Sequence, residues 1–166
     1  MRITVGQLRR VIREEVQRAL GSGGRLVEGV AELQAVGTSE GLADYLLEFE
    51  GGVLYDLQAR SWADPRVEEY LRGKYSRTAP GVVGFLPAAL KSAGSVTKWV
   101  DMWVPAAIRQ AEMDPRGPEA AMEDVEYDFA VDHSHRFPRS RGLSRGVKAL
   151  ATRKFADAGY TVKLRD

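Results

Sequence analysis

Val125-Glu126-Tyr127-Asp128-Phe129-Ala130-Val131, continuing into Asp132-His133-Ser134-His135, is the stretch on which the fold class turns. Val125, Tyr127, Phe129 and Val131 alternate with Glu126, Asp128, Ala130 and Asp132. A period of two is the pattern of a half-buried strand. It predicts a strand over 125–133 that sets Phe129, Val131 and His133 on one face, with His135 in line if the strand runs on. Weaker alternations at Val53, Tyr55 and Leu57 and at Tyr160, Val162 and Leu164 predict strands over 53–59 and 160–164.

Helical signals fill the rest. Thr38 or Ser39 caps a helix through Leu42, Tyr45, Leu46 and Phe49, which Gly51-Gly52 should break. Asp64-Pro65 supplies a cap and a proline at the first helical position, with Val67, Tyr70 and Leu71 inward. Residues 82–93 read as a short apolar helix. Ser95 opens a longer one carrying Trp99 and Trp103, which Pro105 should kink or divide. A last helix runs from about Leu143 through Phe155 to a stop at Gly159. Trp99, Trp103 and Tyr45 read as core. Few strands among several helices predict an α+β fold: a compact single domain with several helices and a small sheet.

The chain has 166 residues, 24 Lys+Arg against 23 Asp+Glu, and no Cys. That length suits one domain with a short appendage. A net charge of +1 gives no global case for a nucleic-acid coat or a polybasic membrane binder. The missing Cys excludes disulfides, thiolate zinc sites and a Cys nucleophile. No run of ~20 apolar residues predicts a membrane span. Arg9, Arg10, Arg13 and Arg18 interrupt any signal-peptide core. The expected location is cytoplasmic, or within a particle assembled there.

Residues 1–20 form a separate unit. Thr4 and Gln7 have capping-box spacing. Leu8, Val11, Ile12 and Val16, with Val5, Ala19 and Leu20, then recur as one helical stripe. Gly21-Ser22-Gly23-Gly24 is a flexible link to the domain at 25–166. A tethered amphipathic helix of this length is marginal alone and needs a surface for its stripe. Thr4, Gln7, Leu8, Arg9, Arg10, Ile12, Arg13, Glu14 and Glu15 resemble a leader found on small proteins of tailed phages. The resemblance implies a virion or assembly context, in which such a helix docks on a larger shell or tube.

The two histidines carry the catalytic alternative. On a strand, His133 and His135 would share a face and could chelate one metal, with Asp132 or a distant carboxylate completing the shell. Asp132, His133, His135, Arg141, Gly142 and Leu143 resemble the core of the endonuclease VII-type branch of the HNH-like nucleases. The resemblance implies a divalent ion on Asp132, a water activated by His133 and a phosphate on Arg141. It covers about thirteen residues. The Cys pairs and helix Asn of that family have no counterpart, because the chain contains neither residue type. His133-Ser134-His135 with Ser144 is also similar to the JAB/MPN metalloprotease signature, but Val147 stands where its Asp should follow.

Arg136, Arg139, Arg141 and Arg145 form a basic cluster suited to phosphate or an acidic partner, after an acidic stretch with Glu123, Asp124, Glu126 and Asp128. Adjacent blocks of opposite sign suit self-association or docking on a charged neighbour. The leading expectation is therefore a phage-like structural or assembly protein that docks on a larger particle or on copies of itself, with no cofactor. The alternatives are a metal-dependent nuclease using Asp132, His133 and His135 with a divalent ion, and a non-catalytic nucleic-acid-binding module.

Overall fold

The computed structural model describes residues 32–138 and 143–164. Among them are six α-helices, one 3-10 helix and no strand. The helices are α1 (Ser39–Phe49), α2 (Gly51–Asp56), α3 (Pro65–Thr78), α4 (Leu86–Glu112), α5 (Pro118–Arg136) and α6 (Arg145–Asp157), with the 3-10 helix at Pro80–Phe85. The fold is all-α, and the expected α+β class with its small sheet is overturned. Amphipathic residues 1–20 and the glycine-rich link at 21–24 lie outside the described residues.

The 125–133 stretch is the interior of α5. Its buried residues are Ala121, Met122, Val125, Phe129 and His133, a repeat of about four. Tyr127, which the alternation turned inward, is 73% exposed. Val125, Phe129 and His133 turn inward on either period; buried Met122 and exposed Tyr127 are where the two differ. Pro118 in the first turn, Glu119 beside it and Arg136 in the last turn all favour a helix, the charges by their match to the macrodipole.

The other two expected strands fail differently. In 53–59, Val53 is buried and Leu54 and Leu57 are half-buried, while Tyr55 points to solvent, the spacing of a helix rather than a strand. α1 ends at Phe49, as expected ahead of Gly51-Gly52, and the two glycines then open α2. Residues 160–164 do alternate, with Val162 buried and Thr161 and Lys163 exposed. With no strand among the described residues to form a ladder, the Lys163 N–H donates to Glu126 Oε1 (3.0 Å) instead.

The caps follow the sequence closely. Thr38 Oγ1 accepts from the Gly41 N–H (3.0 Å) and Asp64 Oδ1 from the Arg66 N–H (2.9 Å). Ser144 caps α6 and Gly159 takes φ +88° after its end. Val67, Leu71 and Tyr75 are the inward face of α3, and Tyr70 is half exposed. Ser95 opens no helix: its hydroxyl donates to the Lys91 carbonyl (3.0 Å) inside α4. Pro105 divides nothing either. Val100, Val104 and Ala107 are buried on both sides of it, and burial of roughly 1.5–3 kcal/mol per large apolar side chain exceeds the ~3 kcal/mol cost of an interior proline.

α4 is the spine. Leu86, Ala89, Leu90, Ala93, Val96, Val100, Val104, Ala107 and Ala111 form a continuous buried seam, against which α1, α5 and α6 pack. Polar groups tie the helices at few points. Glu50, 6% exposed between α1 and α2, accepts from Lys74 Nζ (2.7 Å) and Tyr75 Oη (3.3 Å). Trp62 Nε1 donates to Thr97 Oγ1 (3.1 Å). Arg153 donates to the Leu47 carbonyl (2.7 Å) near the end of α1. No described helix is long and apolar enough to cross a membrane.

The tightest junction is between α1 and α6. The Gly146 N–H donates to Asp44 Oδ1 (2.8 Å), and a Cβ at Gly146 would stand 2.2 Å from the Asp44 carbonyl oxygen. Backbone cannot yield as a flexible side chain can, so α6 would have to move. Gly146→Ala is expected to lower the unfolding free energy by about 3 kcal/mol in urea denaturation, whereas Gly73→Ala on α3, with nothing near its would-be Cβ, is expected to be neutral or stabilising.

Candidate functional site

The helical state of α5 separates the histidines. Residues two apart on an α-helix point about 200° from each other. His133 turns inward and is 2% exposed, while His135 faces solvent. Asp132 lies on a third direction and its carboxylate accepts from Trp103 Nε1. The shared strand face expected of His133 and His135 is therefore not formed. Among the described residues no group of three or more His, Cys, Asp or Glu side chains is placed to hold a metal ion.

His133 sits in an aromatic cluster instead. Its ring lies 5.6 Å from Trp99, edge-on, and 5.1 Å from Phe137. Trp99 also packs on Phe129 (5.0 Å) and Trp103 (6.2 Å), so both tryptophans serve as core, as expected. His133 Nδ1 is buried and has no hydrogen-bond partner. Burial pushes the imidazole below its usual pKa, because the charged form loses water there.

The same imidazole borders a groove of about 520 Å³ between α1, α4, α5 and α6. Its buried apolar walls are Ala43 and Leu47 from α1, Val96 from α4 and Val147 from α6, with half-buried Phe137 after α5. Charge is confined to two sides. Glu40 and Asp44 stand one turn apart on α1, and Arg136 stands on α5. A groove of this volume, mostly apolar and with few polar groups, has the make-up common to binding surfaces. The sequence marked the helices that build it but not that Ala43, Leu47, Val96 and Val147 face one another. Each reads locally as ordinary helix stripe, and only packing shows which stripes leave a gap.

Of the basic cluster, Arg136 and Arg145 lie among the described residues. Arg145 pairs with Glu48 (3.1 Å) and Glu32 (3.4 Å). Arg136 is exposed at the C-terminal turn of α5, where its charge suits the helix dipole. Arg139 and Arg141 lie outside the described residues, as do Leu8, Val11, Ile12 and Val16. On the acidic side, Asp124 pairs with Arg116 and Glu126 accepts from the Lys163 backbone.

A neutral buried imidazole makes stability depend on pH. The folded pKa lies below the usual 6.5, so the unfolded chain takes up the proton first as pH falls. The contribution is complete above about pH 6.5 and is lost as pH drops towards the folded value, with a slope of at most about 1.4 kcal/mol per pH unit for one proton. Urea midpoints measured at about pH 7.5 and about pH 5.5 are expected to fall further in the parent than in His133→Phe, whose ring keeps the aromatic packing and does not titrate.

No family model matches the chain, and neither curated proteins nor solved structures give a significant match.

Proposed function

We propose that the chain is a structural or assembly component of a phage-like particle, a helical body brought to its place by residues 1–20. The observation that best supports this is how the described polar side chains are used. Asp44, Glu50, Trp62, Asp132, Arg145 and Arg153 each make a contact that joins one element to another. One of the openings between the described helices is a mostly apolar groove, whose make-up suits the burial of apolar side chains. The leader adds a stripe of Leu8, Val11, Ile12 and Val16 that requires an apolar surface.

The test is sedimentation. Expressed in its native host, the chain is expected to travel with large particles on a density gradient. Leu8→Glu with Ile12→Glu is expected to reduce the particle-bound fraction at least about tenfold, the effect of roughly 1.4 kcal/mol or more of lost binding. The helical circular dichroism of the body should stay unchanged. A parent chain found only as the free 18.3 kDa species overturns the reading. So does Mn²⁺-dependent DNA cleavage by the parent that His133→Ala abolishes.

A further inference from the structure

Two polar or charged side chains are buried among the described residues, Glu50 and His133. Glu50 accepts from Lys74 Nζ and Tyr75 Oη. His133 is different: its Nδ1 is shut away from water and has no hydrogen-bond partner. A buried nitrogen left in that state costs stability that the helix does not return. Such groups are few in folded proteins, and each has a physical reason.

The surroundings of the ring point to one. His133 borders the groove of about 520 Å³, a volume in the range of small-molecule sites. Leu47, Val96 and Val147 give the groove aliphatic walls. Phe137, 5.1 Å from the imidazole, gives it an aromatic one. Trp99, Phe129, His133 and Phe137 already pack with ring centroids 5.0–5.7 Å apart. A guest ring at the Phe137 wall would extend that cluster in the geometry aromatic pairs prefer.

The charges at the groove select neither sign. Glu40 and Asp44 stand on α1 and Arg136 on α5, so an ion of either kind meets a like charge as well as an opposite one. Asp44 Oδ1 is moreover engaged by the Gly146 N–H. Burial keeps the imidazole neutral, and a neutral imidazole has one acceptor nitrogen and one N–H. A half-turn about the Cβ–Cγ bond exchanges Nδ1 with Cδ2, so the ring can offer its unpartnered nitrogen on either edge.

We propose that the groove is a binding site for a small uncharged aromatic molecule with one hydroxyl or N–H, whose donor bonds to the His133 imidazole and whose ring lies against Phe137. A hydrocarbon would leave the nitrogen without a partner. A charged molecule would lose water against the apolar walls.

Phenol and toluene are the probes, because they are close in size and differ in the donor. In calorimetric titration of the full-length chain at about pH 7.5, phenol is expected to bind at least about fivefold more tightly than toluene, the effect of one net hydrogen bond. Cyclohexanol keeps the hydroxyl and loses the aromatic ring, and is expected to bind several times more weakly than phenol. His133 and His135 are the chain's two histidines. With their ring nitrogens isotope-labelled, phenol should shift the resonances of His133 and leave those of exposed His135 in place. His133→Phe is expected to keep toluene binding and to lose the preference for phenol. Ser92→Leu narrows the groove from α4 with the imidazole intact, and should weaken phenol and toluene alike. Helical circular dichroism checks that each variant is folded. Equal affinity for phenol and toluene in the parent overturns the part given to His133. Equal affinity for phenol and cyclohexanol overturns the aromatic class. Absence of saturable phenol binding, or binding that leaves the His133 resonances unmoved, overturns the site.

Discussion

The close approach of α6 to α1 at Gly146 is the constraint on which the arrangement depends. The backbone of Gly146 donates to Asp44 Oδ1, and the Asp44 carbonyl leaves no space for a side chain. Glycine costs helix stability, yet here its missing Cβ lets two helices meet. With α1 and α6 locked at that point, Val147, Leu150, Ala151 and Phe155 can all turn inward from α6. Arg145, one residue earlier, reaches Glu48 on α1, and Arg153, two turns later, reaches the Leu47 carbonyl. The junction is thus a contact of backbone, flanked by charge on both sides.

The groove is a consequence of that packing. α1 and α6 converge at Gly146, while α5 joins the assembly through α4 and its aromatic residues. Trp99 and Phe137 surround His133 and make an apolar environment in which the imidazole is held neutral. An unpartnered buried nitrogen is uncommon in a folded protein. Here it sits beside an opening rather than deep inside a sealed core.

Capping chemistry was legible in the sequence because it is local. Thr38, Asp64-Pro65 and Gly159 act within a few residues of themselves, and each does what its residue type implies. The strand reading of 125–133 failed for an equally physical reason. Seven alternating residues carry an apolar period of two, but Ala121, Met122, Val125, Phe129 and His133 carry a period near four over a longer span. Burial against α4 selects the longer pattern. Pro105 shows the same hierarchy, since its local preference to break a helix yields to a buried seam on both sides.

The sequence by itself determined where α1, α3 and α6 begin and which residues are apolar. These follow from short-range sterics, hydrogen-bonding chemistry and composition. Only the tertiary structure decided that α5 is a helix, that His133 and His135 part company, and that four helices leave a groove between them. Such outcomes depend on contacts between residues far apart in the chain, where the burial of one stripe against another outweighs the preference of any short segment.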